Sequence, residues 1–151
     1  ESGAKLAGIV KSSIGIGSLL LDGIGNTIRV SLTGNPVQEA EVANKILGAL
    51  GLKKNCEIIS CPTCSRCKVN LSAIYDEVEA MLENVALPLK VAVMGCVVNG
   101  PGAAAEADFG VAGGEGKSVI FSRGKILKTV SNENIVAELK KLLDEHISEN
   151  S

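Results

Sequence analysis

Aromatic residues are nearly missing from this sequence, which has two Phe, one Tyr and no Trp in 151 residues. A core made without them has to come from Ile, Leu, Val and Ala, with glycines closing tight corners, and no surface for stacking nucleic-acid bases is expected. A dense positive patch is lacking as well. Lys and Arg total 15 against 17 Asp and Glu, the basic residues are scattered, and the formal net charge is -2. Nucleic acid is therefore not an expected partner. Long hydrophobic runs are also absent: the longest, Ile14 to Leu21, is broken by Gly15 and Gly17 and is too short to cross a bilayer. No membrane partner is expected, and no charged, apolar, small-residue series reads as a signal peptide. The chain starts at Glu1 without Met, so it reads as a piece of a longer gene product.

What the sequence does have is five cysteines. Without a secretory signal they point to a reducing compartment, the cytoplasm, where thiols bind metals or do redox chemistry. The odd count agrees with that reading.

Apolar spacing predicts a helix over Ala4 to Leu21, weakened by its glycines, and then a β-branched strand over Thr27 to Leu32. Asn35 caps a following helix that has Pro36 at its first position and runs to Gly51. Lys53 to Asn55 is a polar joint and the expected domain boundary, giving domains 1-53 and 54-151. Beyond it, a strand at Glu57 to Ser60, an amphipathic helix at Leu71 to Val85 and a strand at Lys90 to Met94 form a βαβ unit, whose strands should be parallel. Short strands at Gly110 to Ala112, Val119 to Ser122 and Ile126 to Val130 follow. Ser131 or Asn132 then caps a closing helix to about His146. The class is α/β.

The segment Cys61-Pro-Thr-Cys64-Ser-Arg-Cys67 holds two overlapping CxxC steps just after the first strand of the βαβ unit, and Cys96 follows the second. Parallel neighbours end on the same sheet edge, so Cys61, Cys64 and Cys96 should converge at the carboxyl-end crevice where such folds place ligands. Thiolates suit zinc or an iron-sulfur cluster alike. The CxxCxxC step with one remote cysteine favours the cluster, because structural zinc usually takes two separated knuckles. Inert buried thiols are disfavoured by the polar Ser65, Arg66 and Lys68 among them. Cys56, just ahead of an apolar strand, reads as packing. Gly113-Gly-Glu-Gly-Lys-Ser118 is not a phosphate loop, since Val111 stands where that motif needs glycine.

Ile59-Ser-Cys-Pro-Thr-Cys-Ser-Arg66 and Met94-Gly-Cys-Val-Val-Asn-Gly-Pro-Gly102 resemble the two signature segments of the hydroxymethylbutenyl diphosphate synthase family. Glu1-Ser-Gly, Asp22 to Ser31 and Asn35-Pro-Val resemble it upstream, so the likeness covers essentially the whole chain. It implies the tail of a TIM barrel followed by a small α/β (α+β) iron-sulfur domain like those of sulfite and nitrite reductases. It also implies a 4Fe-4S cluster, ferredoxin or flavodoxin as electron donor, a homodimer, and reductive ring opening and dehydroxylation of methylerythritol cyclodiphosphate. Carried over by residue, Cys61, Cys64 and Cys96 match cluster ligands and Asn99 a substrate-contacting amide. Arg29 and Ser31 match positions that hold the diphosphate, and Glu1 matches an acidic residue near the substrate hydroxyls, a candidate proton donor. From the residues alone, Arg29 also reads as a solvated strand-end charge, Ser31 as an ordinary strand hydroxyl and Asn99 as a turn former with Gly100. This part of the protein alone should show little or no turnover, and the same residues leave open a four-cysteine electron-transfer or metal-binding module.

The sequence departs from that family at one telling place: its fourth ligand, a glutamate after Asn-Gly-Pro-Gly, is Ala103 here. Ala105 likewise stands where a basic residue is usual. Three outcomes follow: Cys67 completes a four-thiolate cluster, Glu106 reaches back, or one iron stays open. The open or Glu106 site is preferred, because the rest of the family site is retained around it.

Overall fold

The computed structural model describes residues 3–83, 85, 87–98 and 100–150. The chain divides into two compact units, Glu1–Lys54 and Asn55–Ser151, each described by itself.

In the first unit, helices α1 (Lys5–Leu21) and α2 (Val37–Ala49) pack on a small core of Val30, Val42 and Ile46, flanked by Ile9, Ile16, Leu20 and Leu32. The Asn35 side chain accepts the Val37 N–H at 3.0 Å, and Pro36 already has helical dihedrals (φ -63, ψ -23), so this end forms as its residues predict. The strand expected at Thr27 to Leu32 does not form. A strand exists only by pairing, and among the described residues this unit offers no second strand. The segment is held by other means: Val30 is buried, Leu32 N–H bonds Glu39 Oε1 at 2.9 Å, and Thr33 N–H bonds the Gly3 carbonyl at 2.9 Å. One stripe of α1, made of Leu6, Val10, Ile14 and Leu21, is exposed.

The second unit is a mixed five-stranded sheet in chain order: β1 (Glu57–Ser60), β2 (Lys90–Met94), β3 (Phe109–Ala112), β4 (Lys117–Ser122) and β5 (Lys125–Ser131). Strands β1, β2 and β3 are mutually parallel, and β3, β4 and β5 are antiparallel. The βαβ unit is therefore present, with α3 (Leu71–Leu82) as its crossover. Asn70 opens α3 by accepting the Ala73 N–H at 3.3 Å. The helix ends at Leu82, short of the expected Val85, which still packs against the core.

Helices α3 and α5 (Ile135–Asn150) cover one sheet face, where Val78, Val91, Val93, Ile120 and Leu139 are fully buried. The opposite face is built from small residues. Ala92, Ala112, Met94, Ala104 and Ala107 surround Phe121, whose ring lies directly over Gly110. A short helix, α4 (Gly100–Ala103), which the sequence did not reveal, carries the chain between β2 and β3. The expected cap of α5 is a correction too. Ser131 makes no side-chain cap bond, Asn132 to Asn134 form a 3-10 turn, and the Asn132 side chain turns instead to Ser118 Oγ (2.7 Å) and the Gly114 carbonyl (3.0 Å). Ser118 is fully buried, so its hydroxyl takes the one partner on offer and leaves the helix end to the backbone turn.

On α5, the Glu138 carboxylate accepts from Lys128 of β5 and from Lys141 at 2.9 Å. Those bonds, the Lys128 one first, hold its pKa down from 4.5 to about 2. A lowered folded-state value means the contribution is complete above about pH 4.5 and is lost as pH falls toward 2. Glu138→Gln should therefore lower the urea midpoint at pH 7, with the gap to the parent closing over that window and narrowing in high salt. A gap unchanged between pH 5 and pH 2 to 3 would contradict the pairing.

Candidate metal centre

Cys61 directly follows β1 and Cys96 lies two residues past β2, and the register Ser60↔Val93 puts those strand ends side by side. The parallel pairing on which the expected convergence depends is thus present. Gly95 is the meeting point. Its N–H donates to Cys61 Sγ at 3.2 Å, and its carbonyl accepts the Lys68 N–H at 2.9 Å. Cys67 packs directly on it, so that a methyl group at position 95 would lie 2.6 Å from Cys67 Sγ. Only glycine leaves room there.

The loop after β1 tightens into a turn in which Cys67 N–H bonds the Cys64 carbonyl at 2.9 Å. Such a turn keeps its end residues within about 7 Å. Cys64 is exposed, and its thiol is held below the ordinary value, first by the Arg66 backbone N–H and then by the Arg66 side chain. Cys96 is buried and borders an open pocket with Arg66, Lys68, Val97, Gly114 and Glu115. The Gly113 N–H bonds the Met94 carbonyl at 2.8 Å, which lays the glycine loop against the end of β2. The Asn132 bridge from Ser118 to Gly114 holds that loop from behind.

Among the described residues, no three His, Cys, Asp or Glu side chains are drawn together tightly enough to hold a metal ion. The sulfurs of Cys61 and Cys67 both lie against Gly95, the residue before Cys96, with Cys64 at the far end of a tight turn. Soft thiol donors of this kind suit an iron-sulfur cluster or zinc, and ligands of such sites close up on binding. The donor set fits the group. Glu106 is exposed beyond α4. Arg29 is exposed and Ser31 half-buried in the first unit, with buried Val30 between them. Glu1 and Asn99 fall outside the described residues. Cys56 stands at the other end of β1. Its thiol donates to the Val85 and Leu87 carbonyls at 3.7 and 3.1 Å, and burial pushes its pKa up.

Residues 57–145 match the GcpE protein C-terminal domain, and residues 1–44 match the GcpE TIM-barrel domain. The chain belongs to the GcpE family. Three similar members are each named 4-hydroxy-3-methylbut-2-en-1-yl diphosphate synthase (flavodoxin). The protein of Thermodesulfovibrio yellowstonii is 59% identical over 140 residues, covering 92% of this chain and 40% of that one. That of Clostridium acetobutylicum is 56% identical over 145 residues (95% and 42%), and that of Caldanaerobacter subterraneus subsp. tengcongensis 54% over 150 (99% and 42%). The chain thus spans about two fifths of the length of the GcpE relatives it matches. The resemblance carried by the two signature segments is confirmed, as is the α/β class.

Sequence reasoning missed Gly95 and the Ser118–Asn132 bridge. The one signal for Gly95 was a glycine just ahead of a candidate ligand, and a buried serine has no sequence signature. Gly95→Ala should cost about 1 to 3 kcal/mol, the usual range for forcing a methyl group into a filled site. Urea unfolding should show that loss shrinking when Cys67→Ala is added, since the two positions touch. Additive losses would mean that Cys67 is not the obstacle.

Proposed function

We propose that this chain is the carboxyl-terminal part of a 4-hydroxy-3-methylbut-2-enyl diphosphate synthase. In this reading residues 1-53 complete a TIM barrel, and 54-151 form a 4Fe-4S domain of the sulfite and nitrite reductase kind. The observation that carries the proposal is the match to the GcpE C-terminal domain over residues 57–145, the same unit in which the Cys61 and Cys67 thiols lie against Gly95, the residue before Cys96. The exposed apolar stripe of α1 supports the barrel assignment, since barrel helices bury such a face against their neighbours.

The reaction opens the ring of 2-C-methyl-D-erythritol 2,4-cyclodiphosphate and expels a hydroxyl as water. The product is 4-hydroxy-3-methylbut-2-enyl diphosphate. It takes two electrons, from reduced flavodoxin or ferredoxin, and a proton that leaves with the hydroxyl. Cys61, Cys64 and Cys96 would hold the cluster, which when bound supplies one-electron reduction. Arg29 forks onto diphosphate oxygens more specifically than a point charge would, and Ser31 adds a hydroxyl donor beside it. Asn99 orients the substrate through its amide, and Glu1 holds the proton near the departing hydroxyl. The complete enzyme acts as a homodimer in the cytoplasm.

The full-length enzyme that contains this chain, loaded anaerobically with iron and sulfide, should be brown and convert the cyclodiphosphate with reduced flavodoxin. Arg29→Ala should lower kcat/KM roughly ten- to a hundredfold, the cost of a lost charged hydrogen bond. This part alone should turn over little or nothing. Colourless, zinc-loaded protein, or full turnover by this part alone, would overturn the reading.

A further inference from the structure

We propose that Asn132 is a positioning residue for Cys96: it clamps the glycine loop between β3 and β4 against the backbone on both sides of that thiol. The loop, residues 113–116, lies between the two cysteine-bearing segments. Its Gly113 backbone sits so close to both that a methyl group there would lie 2.6 Å from a Val69 methyl and 2.9 Å from the Gly95 carbonyl. Val69 belongs to the loop that carries Cys61, Cys64 and Cys67, and Gly95 precedes Cys96. A methyl group at Gly114 would come to 3.5 Å from Val97, the residue after Cys96, and would strike the Lys117 carbonyl. The loop thus flanks Cys96 through Gly95 and Val97, and it lines one pocket with Cys96, Arg66 and Lys68.

Glycines allow so close an approach but bring no side chain to hold it, so the fastening comes from outside the loop. The Gly113 N–H bonds the Met94 carbonyl at 2.8 Å. At the next residue the Gly114 carbonyl accepts from Asn132 Nδ2 at 3.0 Å, from 18 positions along the chain. Asn132 is itself fixed, because its Oδ1 accepts the hydroxyl of the fully buried Ser118 at 2.7 Å. An amide does both jobs, accepting at one end and donating at the other. A carboxylate would keep the Ser118 bond and set its charge against the Gly114 carbonyl. Beyond the clamp Glu115 and Gly116 are exposed, and Gly116 has a positive φ of 71°, so that part of the loop turns into solvent. Cys96 is buried while Val97 and Val98 after it are exposed, and a loop released from Asn132 uncovers the thiol without unpairing β1 and β2. The clamp itself needs no metal; its consequence for a cluster rests on the iron-sulfur reading above. Reduction adds negative charge to a cluster, so water admitted beside Cys96 would stabilise the reduced form and raise the potential.

The test uses the full-length protein that contains this chain, as wild type, Asn132→Asp, Asn132→Ala and Ser118→Ala, with circular dichroism to confirm folding. In the reduced, metal-free protein, iodoacetamide labelling is followed cysteine by cysteine with mass spectrometry. Cys96 should label severalfold faster in both Asn132 variants than in wild type, and by a smaller factor in Ser118→Ala, which keeps the donor to Gly114. Cys56, at the other end of β1, reports general loosening and should label at the wild-type rate throughout. After anaerobic loading with iron and sulfide, the Asn132 variants should show a raised midpoint potential and bleach faster in air. Wild-type labelling of Cys96 in Asn132→Asp, an unchanged potential in that variant, or Cys56 accelerating in step with Cys96 would each overturn the proposal, the last because it reports lost stability alone. Should the Asn132 variants not fold, Ser118→Ala decides by the same comparison of Cys96 with Cys56. Failure of every protein to take up iron and sulfide would remove the cluster reading, while the labelling would still decide the clamp.

Discussion

A glycine backbone held between two sulfurs, those of Cys61 and Cys67, is the constraint on which the sheet edge of the second unit depends. Parallel pairing of β1 and β2 delivers Cys61 and Gly95 to the same edge, and the Gly95 N–H then fixes the Cys61 sulfur at 3.2 Å. With no side chain in the way, Cys67 closes over the same residue. The peptide group of Gly95 thus fixes one sulfur through its N–H and, by lacking a side chain, makes room for another.

Scarcity of aromatic residues makes sense in the light of the sheet's two faces. Under α3 and α5 the sheet presents Val and Ile, which interdigitate with helical Leu and Ile at ordinary packing depth. The opposite face lies beneath the segment after α4, where four alanines and Met94 pack together and a single large ring, Phe121, fills the space above Gly110. That close approach places the residues after α4 firmly on the sheet. It also limits what the loop between β2 and β3 can do: its ends are anchored by Met94 and by Asp108, whose N–H bonds the Lys90 carbonyl at 2.8 Å.

The sequence carried the second unit well wherever local pattern and tertiary context agreed. The strand at Lys90 to Met94, an apolar run that is buried from Val91 onward, and the amphipathic helix α3 both announced themselves. Thr27 to Leu32 misled because β-branched residues mark extended chain, whereas a strand needs a neighbour that this part of the protein does not supply. The helix α4 escaped because Gly-Pro-Gly has no helical propensity, so its conformation is imposed by tertiary contacts. Asn132 looked like a helix cap and became a bridge, since the buried Ser118 hydroxyl made a stronger claim on it. At the metal centre, spacing located the cysteines by loop but could not rank them by position.

Within that centre the thiols divide by exposure and tethering. Cys96 is buried, Cys61 is bonded to Gly95 and Cys67 is wedged against it, so these three sulfurs sit where the sheet edge dictates. Cys64 is exposed, and the Arg66 backbone N–H and side chain hold its thiol below the ordinary value. Parallel pairing of β1 and β2 thus sets the backbone of Cys61 and Gly95, as the tight turn sets that of Cys64 and Cys67, and the side chains follow from those two constraints.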